Sequence, residues 1–262
     1  MHVMLLAQAR LGSTRYPGKV VAPFCGVPML VYQVRRFQQA DWRLEVLIPK
    51  GDLALVALKQ QGVFVHHIAG APADVLGRYA RYAGTFAAPQ SVLVRLCGDT
   101  PLLCPTLLTG LLQQWKATPG LAYLGMGPGW PDGLGDYDVF TREVLLTAHA
   151  EATDASDREH VTPWLWRQPA RFPQALHQAP GWVREQSWPK LSVDTPADLA
   201  YVEAVAQAVQ AAYGAAFTWW QVLETIARTP ALQRTPEAMN AAYVTQVGGM
   251  TWEEVRYGAA RD

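Results

Sequence analysis

The sequence predicts an α/β fold: a Rossmann-like, mostly parallel sheet flanked by helices. Two observations carry this. Short runs that are apolar without alternation, as in strands buried on both faces, take turns with segments of helical spacing. Loops bearing Gly, Arg or Asp follow several of these runs directly, where open α/β sheets keep their ligands.

Taken in order, His2–Gln8 is an apolar run ending in a loop rich in Gly, Ser and Arg. Val27–Gln39 has helical spacing through Val27, Leu30, Val31, Val34 and Phe37. Leu44–Ile48 reads as a strand, Leu53–Gln60 as a helix and Val63–His67 as a strand. Ala73–Phe86 places Val75, Leu76, Tyr79, Tyr82 and Ala83 on one helical face. Ser91–Arg95 is a strand, Thr106–Trp115 a helix and Ala122–Leu124 a strand. The rhythm breaks at Gly125–Gly135, a Gly/Pro-rich excursion able to form a pocket wall. Helices are predicted near Thr141–Glu151 and Arg158–Arg167, and strands at Arg171–His177 and Lys190–Val193. Asp194-Thr195-Pro196 opens a helix over Ala197–Tyr213, with an oxygen-bearing cap and proline in the first turn. Two shorter helical patterns lie near Thr218–Arg228 and Pro236–Tyr243.

Composition narrows the function. Half of the 262 residues are hydrophobic, enough for a sizeable core, yet no apolar run approaches the ~20 residues that span a bilayer. The N-terminus MHVMLLAQAR has neither the basic start nor the cleavage site of a leader, so a cytoplasmic protein without membrane contact is expected. Cys25, Cys97 and Cys104 are an odd set without metal-type spacing and read as free thiols. Acids and bases balance at 22 each, which argues against a nucleic-acid partner. The distribution is uneven, however: no Asp or Glu precedes Asp41, whereas Arg10, Arg15, Lys19, Arg35 and Arg36 do. A local cationic end on a neutral protein suits a small anionic ligand. Lysine is scarce, occurring at 19, 50, 59, 116 and 190, so its retention at Lys19 in the densest cationic loop points to a specific role.

Four segments could carry chemistry. In Gln8-Ala9-Arg10-Leu11-Gly12-Ser13-Thr14-Arg15-Tyr16-Pro17-Gly18-Lys19, small residues let main-chain amides approach a phosphate and three cations neutralise it. Five residues separate Gly12 from Gly18 and Val20 follows Lys19, so this is not a Walker A loop. A solvated basic loop is the bland alternative. Gly98-Asp99-Thr100-Pro101 puts a carboxylate past a strand end, placed to hold a divalent ion against a triphosphate, although Gly-Asp-x-Pro is also a turn. Asp194 stands between a predicted strand and a helix, where it can cap, bind metal or do both. Asp136 and Asp138 point the same way if extended and could bind acceptor hydroxyls or ammonium groups. One of them could equally cap the next helix. His160 is a base or an ordinary helical residue.

Together these segments resemble the cytidylyltransferases that activate 3-deoxy-manno-octulosonate and sialic acids, most of all the relatives named for spore-coat polysaccharide biosynthesis protein F. The matching stretches are QARLGSTRYPGKV at 8–20, DVLGRY at 74–79, RLCGDTPLL at 95–103, DYDVF at 136–140, DREHVTP at 157–163 and LSVDTPADL at 191–199. The resemblance implies a nucleotidyltransferase (GT-A-like) fold over 1–213, an acceptor and dimerisation excursion at 125–190 and a helical extension at 214–262. It implies that Gln8, Ala9, Arg10, Gly12, Ser13, Arg15, Lys19, Arg78 and Gly98 hold CTP, with Arg10 and Lys19 catalytic. Asp99 and Asp194 would bind Mg2+, and Asp136, Asp138, Arg158 and His160 would face a small polar acceptor. A homodimer is expected. Where relatives read Gly-Leu-Asp-x-Glu, this chain has Gly-Leu-Gly-Asp-Tyr-Asp, one residue longer and with a shorter acid. Two rivals remain at this stage: a glycosyltransferase with Asp136-x-Asp138 as its metal motif, and a nucleotide-binding protein without catalysis.

Overall fold

The computed structural model describes residues 1–234. A seven-stranded sheet runs β5-β4-β1-β6-β8-β7-β9. Its strands are β1 (Val3–Gln8), β4 (Leu44–Pro49), β5 (Phe64–Ile68), β6 (Val92–Cys97), β7 (Tyr123–Met126), β8 (Tyr137–Thr141) and β9 (Gln174–His177). All neighbouring pairs are parallel except those of β8, which runs antiparallel to β6 and β7. A separate two-stranded ribbon, β2 (Pro23–Phe24) with β3 (Val27–Pro28), precedes α1 (Met29–Gln38).

Alternate residues of each strand feed cores on opposite faces. Leu5, Ala7, Val46 and Ile48 pack with α1, α3 (Pro105–Ala117), α8 (Pro196–Tyr213) and α9 (Trp219–Arg228). Leu6, Leu47 and Leu93 pack with α2 (Val75–Phe86) and α4 (Arg142–Glu151). Side-chain caps open three of the helices, the one at α8 being the start read from the sequence. The Asp74 carboxylate accepts from Gly77 N, and Thr141 Oγ1 accepts from Val144 N. Thr195 and Asp198 form a reciprocal capping box with Pro196 in the first turn of α8. Among the described residues, no helix is long and apolar enough to cross a membrane.

The strand β8 was not expected from the sequence, and four of the expected segments differ in detail. The start of 27–39 pairs as β3 before α1 begins at Met29. Leu53–Gln61 winds as a 3-10 helix rather than an α-helix and ends at Gly62, φ 82°. The single helix expected over 158–167 is two, α5 (Ala155–His160) and α6 (Pro163–Trp166). Pro163 lacks the N–H that would continue the helical ladder, and Val161 takes φ 76° at the break. Residues 190–193 join no sheet: Leu191 N donates to Asp132 O, and Val193 N to Asp99 O. That second bond brings the chain before Asp194 alongside Asp99. The pattern near Pro236–Tyr243 lies outside the described residues.

Candidate active site

The chain leaves β1 towards β4 and β5 on one side and returns to β6 on the other. β1 and β6 are therefore the pair at which strand order reverses, and Gln8 stands opposite Cys97 at their carboxyl ends. Loops diverging from that point leave the crevice where such sheets bind ligands. The two strand ends come close: a Cβ at position 98 would lie 2.6 Å from the Gln8 carbonyl oxygen, so Gly98 is required there. The first loop closes on itself. Gly18 N donates to Leu11 O at 2.9 Å, Gly18 takes φ 74°, and Leu11 N is anchored on Asp52 Oδ2 at 2.8 Å.

The closure aims Lys19 inward. Its ammonium donates to Asp99 Oδ2 at 2.7 Å, Val193 O at 2.7 Å and Asp194 Oδ1 at 3.1 Å. Sharing one ammonium keeps both carboxylates within reach of a single ion. Arg15 lies 2.8 Å from Asp194 Oδ1, while Lys190 lies 2.9 Å from Asp194 Oδ2 and 3.0 Å from Asp198 Oδ2. Burial pulls the Lys19 pKa down, but the Asp99 and Asp194 carboxylates outweigh it and hold the group above its ordinary value, charged. Burial pushes Asp194 up; Lys19, Lys190 and Arg15 together hold it below the usual carboxylate value. No group of three or more Asp, Glu, His or Cys able to hold a metal occurs among the described residues. Two carboxylates and a carbonyl nevertheless fit magnesium, a hard ion that takes its remaining oxygens from phosphate and water.

A second cluster lies beside the first loop. Arg78 is buried, donates from Nη1 to Gln8 Oε1 at 3.2 Å and from Nη2 to Pro72 O at 2.8 Å, and its Nε has no partner. Arg10 is paired with Glu159 of α5 at 2.8 Å. Ala9 is buried, its N–H bonded to Leu47 O, while Gly12 is exposed and Ser13 half-buried. Gln8, Arg15, Lys19, Arg78, Gly98, Asp99 and Asp194 are thus brought together at the ends of β1 and β6.

The expected acceptor residues do not converge in the same way. Arg158 is spent on helix packing: its guanidinium bonds Asp74, the α2 cap, together with His149 O, Ala152 O and His149 Nδ1. Asp138 is buried opposite Arg95 in the β6–β8 register, with Oδ2 2.6 Å from Arg95 Nη1 and Oδ1 accepting from Tyr123 Oη at 2.5 Å. Asp136 is half-buried, and its Oδ2 accepts from Gly133 N at 2.7 Å, which fixes the turn at the end of the excursion. His160 is the half-buried last residue of α5.

A sequence profile of the cytidylyltransferase family matches residues 4–217. The chain belongs to that family. The spore coat polysaccharide biosynthesis protein SpsF of Bacillus subtilis (strain 168) is 29% identical over 222 residues, covering 78% of this chain and 86% of that protein. Among solved structures, a cytidylyltransferase from Leptospira borgpetersenii superposes with TM-score 0.78 at 24% identity, over 92% of this chain and all of that one. CMP:2-keto-3-deoxy-manno-octonic acid synthetase, solved in complex with CTP, superposes with TM-score 0.60 at 18% identity over 78% of this chain and 98% of its own. At these identities the two structures establish the shared fold.

Three residues in contact with this cytidylyltransferase's candidate site escaped the sequence reading: Lys190, Glu159 and Asp52. The scarcity of lysine, which singled out Lys19, applies equally to Lys190, four residues before Asp194. Glu159 stands inside DREHVTP between two residues that were picked out. Asp52 carried no signal, because its partner is a backbone N–H 41 positions away.

Proposed function

We propose that this cytidylyltransferase moves CMP from CTP to a sugar acid or similar small polar acceptor, with magnesium on Asp99 and Asp194 and pyrophosphate released, in the making of a cell-surface or spore polysaccharide. The observation that carries the reading is one ammonium, Lys19, held between two carboxylates in the crevice beyond β1 and β6. The acceptor oxygen attacks the α-phosphorus in line, so the work of the protein is positioning and charge neutralisation. Arg10, Arg15, Lys19 and the loop around Gly12 and Ser13 hold the phosphates. Arg78, whose Nε lacks a partner, gains one from the nucleotide. When bound, the ion adds positive charge at the phosphate oxygens. Asp136 and His160 meet the acceptor, while Asp138 and Arg158 hold the wall on which they stand. The glycosyltransferase alternative needs Asp138 as a metal ligand, and both oxygens of that residue are engaged by Arg95 and Tyr123. We assign the catalytic unit to residues 1–213 and place the reaction in the cytoplasm, the compartment that holds CTP.

Incubation with CTP, magnesium and a panel of sugar acids is expected to release pyrophosphate, with CTP preferred over other nucleoside triphosphates. Asp99→Asn and Asp194→Asn are each expected to lower the rate about 10²-fold, the scale for one preorganised charge, and to raise the magnesium requirement. Binding of CTP without turnover on any acceptor, or release of UDP or CDP from a nucleotide sugar, would overturn the reading. A homodimer joined largely through residues 125–190 forms part of the same proposal, supported by Trp182 in that stretch, which remains 44% exposed. Light scattering at micromolar concentration should give twice the chain mass, and a monomer refutes it.

A further inference from the structure

We infer that Lys19 is a resident counter-ion for the two metal-binding carboxylates: its ammonium fills their oxygen cage in the nucleotide-free protein and yields it to the divalent ion only when a triphosphate arrives to take the ammonium. This rests on the proposed function, in that Asp99 and Asp194 are taken as the metal ligands. It adds an order to the reaction, in which metal enters with the nucleotide and not before it.

The Lys19 ammonium has three donors, and the structure gives it three acceptors: Asp99 Oδ2, Val193 O and Asp194 Oδ1. These are hard oxygens of the kind a divalent ion takes. Asp194 Oδ1 also meets Arg15 at 2.8 Å, but the space between the two carboxylates is filled by the Lys19 ammonium, and a divalent ion entering it would meet that ammonium at close range. Without Lys19, Arg15 and Lys190 would still face Asp194, but Asp99 would lose its ion-pair partner beside a second carboxylate, so a cation between the two is favoured. Occupation by one cation or the other is the arrangement that follows.

The surroundings suit an exchange of side chains over a fixed backbone. Lys19 N is bonded to Tyr16 O and Lys19 O to Ala22 N, so the loop stays closed while the side chain swings. Lys190 holds Asp194 by its other oxygen, Oδ2, and is itself tied to Asp198 in the capping box of α8. Asp194 therefore keeps its place when Lys19 lets go of Oδ1. The triphosphate supplies new acceptors for the ammonium, and the cage opens at the moment the ion is needed.

The test is binding of Mn2+ to the full chain without nucleotide, followed by paramagnetic resonance of free Mn2+. Lys19→Met is expected to bind Mn2+ at least about tenfold more tightly than the unaltered protein, a coupling of ordinary size for two competing ligands. Lys19→Met with Asp194→Asn should lose that gain, which locates the ion in the cage. Where circular dichroism shows the methionine variant unfolded, Lys19→Gln replaces it, its amide still able to donate to one carboxylate. Equal Mn2+ affinity in the unaltered protein and the folded neutral variant overturns the inference. That outcome leaves the pyrophosphate assay untouched, whereas absence of pyrophosphate release from CTP with any metal strikes the proposed function itself.

Discussion

Lys19→Ala is expected to lower pyrophosphate release from CTP at least about 10²-fold, equivalent to about 2.7 kcal/mol of transition-state stabilisation, with the protein still folded. The side chain is buried, charged, and aimed by a closed loop into the crevice where β1 and β6 part. A group held in this way needs no reorganisation when charge builds on the phosphates, and water cannot replace it well in so dry a place. Two consequences separate this role from mere support of Asp99 and Asp194. If Lys19 served only to hold the two carboxylates together, a large excess of magnesium would take over that task and restore the rate. If its charge acts on the phosphates, saturating magnesium leaves the loss in kcat. Steady-state rates at rising magnesium decide between them, and an undiminished rate in a folded variant removes Lys19 from the catalytic machinery.

The parallel half of the sheet was legible because its strands are apolar on both faces and the loops that follow carry unusual residues. Gln8, Lys19, Gly98 and Asp99 could be placed by the single rule that ligands gather past strand ends. β8 was not legible. Tyr137–Thr141 is buried along most of its length, yet Asp136 and Asp138 break the apolar run and make it look like a polar loop. What lets Asp138 lie inside the sheet is Arg95, 43 positions earlier, and a pairing of that reach has no local sequence pattern. The same limit hid Glu159 on Arg10 and Asp52 under Leu11. Lys190–Val193 failed for the opposite reason: its residues look like a strand, but its N–H groups go to loop carbonyls at Asp132 and Asp99. Asp194 still arrives beside Asp99, because one of those carbonyls belongs to Asp99 itself.

Asp138→Asn is expected to destabilise the protein by about 3–5 kcal/mol, the usual cost of removing one partner from a buried ion pair, and to leave the KM for the acceptor unchanged in whatever protein remains folded. Both carboxylate oxygens are engaged, by Arg95 and by the Tyr123 hydroxyl, on a residue 9% exposed. An asparagine keeps the shape and can still meet Tyr123, so the loss isolates the charge. Arg95 is then left in the sheet with nothing to neutralise it; its Nε already lacks a partner. The companion variant makes the argument specific. Asp138→Leu with Arg95→Met removes both charges and fills the space with apolar atoms, an exchange that is often neutral where breaking the pair is costly. The double variant should therefore be more stable than Asp138→Asn by most of the loss, as read by urea midpoints at equal slope. Asp136 supplies the contrast: its carboxylate accepts from Gly133 N, a bond that an asparagine oxygen can keep, so Asp136→Asn should cost little stability and, if Asp136 meets the acceptor as proposed, raise the KM for it. Should Asp138→Asn prove as stable as the parent while acceptor KM rises sharply, Asp138 is an acceptor ligand and the wall assigned to it belongs to other residues.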